Sequence, residues 1–245
     1  MDKVIETEAL TKRFGDFIAT NAITFEVGQG EIFGFLGANG AGKTTAMRML
    51  CGLLKPTSGS AKVAGYDVAS QTELVKKNIG YMSQKFSLYE DLTVKENIRF
   101  YGGIYGLSRP RIREKTVQLL EKLQITKEAD QLVSSLPLGW KQKLAFSIAI
   151  LHDPSIVFLD EPTGGVDPIT RRQFWDLIYD AAHQQTTVFV TTHYMDEAEY
   201  CDRISMMVDG RIKALDTPRR LKAQFGADNM NDVFLQLARQ QPSNE

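Results

Sequence analysis

Short apolar runs alternate along this chain with stretches whose apolar residues recur every three or four positions. Runs near residues 4–10, 23–27 and 31–36 predict strands, and the third, EIFGFLG, reads as a buried strand running into glycines. Helical periodicity over 43–53 follows and stops at KPTSGS, a turn-rich break. A short strand pair is predicted around 61–66 and a further strand at 79–82. From about 88 to 150 the pattern turns helical, with VKENIRFYGGIYG and RIREKTVQLLEKLQI. Strands return in SIVFLD (155–160) and TTVFVTT (186–192), each beside a helical stretch, so parallel βα units are expected. RISMMVDGRIKALD reads as a hairpin turning at Asp209-Gly210. The last helical stretch, DVFLQLARQ, has Val233, Phe234 and Leu237 on one face, for the core or a partner, and the tail from about Gln240 is expected to be disordered.

A chain of 245 residues allows one large domain, or a main domain with a small appended one. Its 29 basic and 30 acidic residues give a net charge of −1, so nucleic acid is not expected as the main partner. Cys51 and Cys201 stand far apart and suit neither a metal pair nor a disulfide framework, which favours a reducing cytoplasmic setting. No segment approaches the roughly 18 apolar residues of a spanning helix, and the N-terminus has no apolar run resembling a signal peptide. A membrane role would therefore need a partner.

Gly37-Ala38-Asn39-Gly40-Ala41-Gly42-Lys43-Thr44 fits G-x-x-x-x-G-K-[ST] between a predicted strand and a predicted helix. Small residues let backbone N–H groups curl around a phosphate, and the helix turns its positive end to the same anion. Lys43 supplies a point charge for β- and γ-phosphates, and Thr44 a hydroxyl for Mg²⁺. Asp160 and Glu161 end a buried strand, where Asp160 suits Mg²⁺ and Glu161, turned the other way by strand alternation, suits an attacking water. Taken alone, two acids at a strand end could equally be a solvated terminus. His193 ends the next strand, at the edge where open α/β sheets bind ligands, and a γ-phosphate contact is expected.

Together these motifs resemble the ATP-binding subunit of ABC transporters, over about residues 3–225. The resemblance implies a P-loop NTPase core with a mixed sheet, an N-terminal antiparallel β subdomain and an inserted α-helical subdomain at about 88–150. It makes residues 1–225 the ATPase domain and 226–245 a C-terminal helix and tail. ATP would be held by residues 37–45, including Thr45, with Ala38 standing where the family usually has proline. Phe14 is matched to the aromatic that stacks on adenine, a position equally suited to a core aromatic. Gln84 would be the Q-loop glutamine, touching Mg²⁺ with Thr44 and Asp160, while Glu161 would be the base, His193 the switch histidine and Asp167 the D-loop aspartate.

The signature loop is usually L-S-G-G-Q; alignment on KQKL (141–144) puts Pro137 on its serine and Leu138 on its first glycine, and Gly139 survives. Proline offers neither hydroxyl nor N–H to a phosphate. Either the helix start is a rigid cap working through its dipole, or the chain is one half of an asymmetric pair. The resemblance further implies a transmembrane permease subunit as partner, a head-to-tail pair of ATPase domains with two ATP molecules between them, and a place on the inner face of the cell membrane. The texture of GLLKPTSGSAKVAGYDV and THYMDEAEYCDRI is most similar to ABC-2 type exporters, several of them multidrug systems. The competing expectation is a soluble ABC-type ATPase acting on a ribosomal or nucleic-acid complex.

Overall fold

The computed structural model describes residues 2–84 and 88–239. Residues 85–87 of the predicted Q-loop and the tail beyond 239 lie outside the described residues. Two sheets organise the molecule. In the first, β1 (Lys3–Phe14), β2 (Phe17–Gly28), β4 (Ser58–Val63) and β5 (Tyr66–Asp67) pair antiparallel in the order β2-β1-β4-β5. The first two strands are longer than the apolar pattern predicts, because they run through bulges. Ala9 and Ala22 take left-handed φ of 46° and 50° there, and the hydroxyls of Thr24 and Thr11 accept from their N–H groups. A bulge breaks period-two alternation without ending the strand, so the pattern is lost while pairing continues.

The second sheet has the order β10-β9-β3-β8-β7-β6. Its parallel strands are β3 (Ile32–Leu36), β6 (Ile79–Met82), β7 (Ile156–Asp160), β8 (Thr187–Thr192) and β9 (Arg203–Val208). β10 (Arg211–Asp216) returns antiparallel through Asp209 and Gly210, both at positive φ, as the hairpin signal predicts. Every residue of β3, β7 and β8 is buried, which accounts for their continuous apolar runs.

Helix α1 (Lys43–Leu50) packs between the sheets and buries Ala46, Met47, Met49 and Leu50 beside Phe25, Phe33, Phe35 and Phe189. The phenyl rings meet 5.3–6.1 Å apart, within the range of favourable aromatic pairs. It ends before the predicted residue 53, since Gly52 adopts φ 65° and the N–H groups of Gly52 and Leu53 close onto Met49 and Arg48 carbonyls. α2 (Thr72–Asn78) precedes β6. The helical segment holds α3 (Val94–Ile104), α4 (Arg109–Lys122) and α5 (Leu138–Ala149). A Thr93–Glu96 capping box starts α3, and Ser108 caps α4.

On the sheet's other face, α5 and α6 (Pro168–His183) bury Leu144, Phe146, Phe174 and Trp175 against β7 and β8 residues. α7 (Pro218–Phe225) and α8 (Met230–Arg239) complete that layer. Met230, Val233 and Leu237 of α8 are buried in the same core, so this helix packs back on the domain. Among the described residues, no helix is long and apolar enough to cross a membrane.

Candidate functional site: a phosphate cradle at the strand ends

Register brings four strand ends to one edge of the larger sheet. Leu36 pairs with Thr192, Asp160 with Thr191 and Met82 with Leu159. The segments leaving those ends carry Gly37–Lys43, Glu161, His193 and Gln84. Residues from 32 (Glu161 to His193) to 156 (Gly37 to His193) positions apart thus become neighbours through strand pairing.

The 37–42 loop turns tightly into α1. Gly42 is the helix N-cap at φ 101°, and a Cβ there would collide with the Ala19 carbonyl and press on Met207. No side chain caps α1, and its first-turn N–H groups at Lys43, Thr44 and Thr45 have no helical acceptors. That array, at the positive end of the helix, suits an anion. Lys43 is buried, with Nζ donating to the carbonyls of Gly37 (2.8 Å) and Ala38 (3.1 Å), and lying 3.4 Å from Glu161 Oε1. Burial lowers the pKa of this ammonium from its ordinary range, and the charges of Glu161 and Asp160 work against that shift. A phosphate arriving here would replace the two carbonyls with stronger, charged acceptors.

Asp160 is buried, and its Oδ1 accepts from Thr44 Oγ1 (3.1 Å) and Thr191 Oγ1 (2.6 Å). Glu161 lies beyond the last paired residue of β7, at φ 48°, so the turn sets its direction and strand alternation does not. Its N–H donates to both the carbonyl and the hydroxyl of Thr191, which stabilises this left-handed backbone. Gln84 Nε2 donates to Glu161 Oε2 at 3.0 Å. His193 Nδ1 stands 3.1 Å from the same oxygen, close enough for an ion pair if the ring is protonated but without hydrogen-bond alignment.

A cleft of about 420 Å³ runs from Phe17 and Ala19 over Asn39, Gly40 and Thr45 to Gln84 and Glu161. Phe14 does not line it; the Lys12 ammonium sits 5.1 Å over that ring instead. Phe17, its cross-strand partner at the hairpin end, does line it and is 64% exposed. Two exposed phenylalanines three residues apart carry no sequence signal to separate them, so the match to Phe14 missed the aromatic at the cleft. Thr191, which holds both acids, was also missed, since a threonine inside an apolar run reads as strand filler.

Thr44, Asp160 and Gln84 offer hydroxyl, carboxylate and amide oxygens, a hard donor set that fits Mg²⁺. Among the described residues no group of three His, Cys, Asp or Glu could hold a metal by itself.

Pro137, Leu138, Gly139 and Asp167 gather elsewhere, in a second depression of about 310 Å³ that shares no lining residue with the first. Pro137 is the N-cap of α5 and provides no side-chain bond. Leu138 is 39% exposed at the helix start. Asp167 caps α6, accepting from the N–H groups of Ile169 and Thr170 and from Thr170 Oγ1. These bonds, the Thr170 hydroxyl foremost, hold its carboxyl below the usual range.

A family model described as ABC transporter matches residues 20–164. The chain is 49% identical over 237 residues to "Probable multidrug ABC transporter ATP-binding protein YbhF" of Escherichia coli (strain K12), covering 97% of this chain and 41% of that protein. It is 38% identical to "Nod factor export ATP-binding protein I" of Rhizobium sp. (strain N33), covering 96% of this chain and 78% of the relative. With "Daunorubicin/doxorubicin resistance ATP-binding protein DrrA" of Streptomyces peucetius it shares 37% over 92% of this chain and 69% of the relative. The solved "Structure of ATP binding subunit of ABC transporter" superposes with a TM-score of 0.86 at 26% identity, covering 96% of this chain and 99% of that one. The chain thus spans about two fifths of its E. coli relative and most of the length of the other two. By sequence and by fold, a P-loop NTPase core, it belongs to the ABC transporter family.

Proposed function

We propose that the chain binds Mg-ATP in the Phe17–Glu161 cleft and hydrolyses it to drive a separate membrane exporter. One observation carries this reading: the Glu161 carboxylate stands between Lys43 and His193, beside the Thr44–Asp160 pair, at a single sheet edge. Residues 1–225 are assigned to the ATPase domain, with α8 as an extension packed on it. Phe17 would face the adenine, and the 37–45 loop with Lys43 would hold the phosphates. Mg²⁺, held by Thr44 and Asp160 with Gln84 nearby, would neutralise phosphate charge. Glu161 would take a proton from the attacking water while His193 meets the γ-phosphate. The β–γ bridge bond then breaks, and ADP and phosphate leave.

Two features support partners. The Phe17–Glu161 cleft and the Pro137–Asp167 depression are separate surfaces, as expected if each ATP is closed by a second ATPase domain's signature face. Beside Gln84's segment, Tyr89, Phe100 and Ile104 expose apolar area, with Tyr89 and Phe100 rings 4.8 Å apart. Buried Asn97 fixes this patch by bonding both the N–H and the carbonyl of Tyr89. A rigid aromatic patch suits docking of an apolar helix from a transmembrane permease, which supports a position at the inner membrane face. The relatives' names, from multidrug, Nod factor export and drug resistance, favour this exporter over the soluble regulator.

Replacing Glu161 by glutamine tests the reading. It should abolish turnover, by about a hundredfold or more, while Mg-ATP still binds and shifts the chain to a dimer in sedimentation. Lys43→Ala should weaken Mg-ATP binding at least about tenfold. Retained turnover in the first variant, or unchanged affinity in the second, would reject the assignment.

A further inference from the structure

The cleft leaves one buried acid unused. Glu197 has no solvent exposure and sits in the 3-10 turn Met195–Tyr200, just after His193. Its Oε1 accepts a 2.5 Å hydrogen bond from Thr163 Oγ1. Thr163 is also buried and lies two residues beyond Glu161, in the turn closed by Gly164 N–H donating to the Glu161 carbonyl. From α6, Arg171 Nε stands 3.7 Å from the same Glu197 oxygen, while Oε2 has no hydrogen-bond partner. The Arg171 guanidinium also lies 4.3 Å over the Tyr194 ring, and that ring packs on His193 with centroids 4.2 Å apart. Behind Arg171, the same helix begins at Asp167.

A carboxylate taken out of water costs several kcal/mol unless it is paired, and an apolar side chain of similar size would avoid that cost. Burial raises the Glu197 carboxyl above its ordinary range, with the Thr163 hydrogen bond pulling it back. The unfavourable placement is understandable if the acid fixes the geometry of what it touches. It touches the turn that carries Glu161 and the helix that begins at Asp167, and it is itself part of the turn that follows His193.

We propose that Glu197 is a positioning residue for hydrolysis, holding Thr163 and Arg171 so that Glu161 and His193 stay 3.1 Å apart and in register with the Asp167 helix. This rests on the ATPase reading above. The test measures steady-state ATPase and equilibrium Mg-ATP binding on the full chain for Thr163→Val, Thr163→Ser, Glu197→Ala and the Thr163→Val/Glu197→Ala double variant. The isosteric Thr163→Val removes the hydroxyl and leaves the packing. It should lower kcat about tenfold with Mg-ATP affinity within about twofold, a split expected when only the reacting geometry changes. Thr163→Ser should restore most of the rate, and the double variant should be no slower than the slower single one. Wild-type kcat in Thr163→Val, or a loss that Ser fails to rescue and that tracks thermal stability, overturns the proposal. If the unmodified chain shows no ATPase activity, the functional reading fails with it, an outcome distinct from an active chain indifferent to Thr163.

Discussion

Phe17 stands at the end of the β1–β2 hairpin with most of its ring in water, yet its partner Phe14 is the one covered by a lysine. A large aromatic left exposed at the rim of a phosphate-binding cleft suits stacking on a base. Phe17→Ala should weaken Mg-ATP binding about tenfold, in line with ~1–3 kcal/mol for a base–aromatic stack. Binding of Mg-triphosphate, which has no base, should not change, and Phe14→Ala should leave both alone. Parallel titrations of the two ligands check this. At the same scale, Lys43 was legible in the sequence through the G-x-x-x-x-G-K-[ST] spacing and Asp160 because it ends an apolar run. Glu197 was not: within MDEAE it looks like one of several solvated acids, and only the gathering of distant segments around the turn, Thr163 and Arg171 among them, buries it.

Helix α5 begins without a side-chain cap, and its second residue is fixed by packing. A Cβ on Gly139 would collide with the Thr170 methyl, and Thr170 cannot rotate freely because its hydroxyl is bound to Asp167. Gly139 is therefore explained by helix contact, whatever it does for a nucleotide. Gly139→Ala should destabilise the chain by ~1–3 kcal/mol, as overpacking does. Gly103→Ala in α3, where an added Cβ meets nothing, should instead stabilise by about 0.5–1 kcal/mol through helix propensity. Thermal or urea unfolding of the two variants separates these outcomes. Sequence periodicity located α3 and α4, and it located the buried strands of the larger sheet within a residue or so. It shortened β1 and β2, since bulges hide continuing strands from any period-two pattern.

Across the whole molecule, the two surfaces proposed to face ATP are unequal. The side of the 37–45 loop carries Lys43, Thr44, Asp160 and Glu161, whereas the α5 face presents Pro137 and a partly exposed Leu138. The inequality is what an asymmetric pair would show, with a different domain completing the site at the 37–45 loop. Pro137→Ser combined with Leu138→Gly should raise the ATPase rate of the isolated homodimer several-fold, since a hydroxyl and a close backbone approach return to the trans site. A flat or lower rate would show that the dipole of α5 suffices. By itself, the sequence determined the phosphate loop, the strand-end acids, the order of the strands and the family resemblance, because each is written in local spacing, while the short helices α2 and α7 escaped the pattern. Tertiary structure alone decided that Phe17 and not Phe14 reaches the cleft, that Glu161 turns back toward Lys43, and that Glu197 is buried. Those facts depend on strand register, on one left-handed residue and on which helix covers which turn, and such contacts between distant segments leave no periodic trace along the chain.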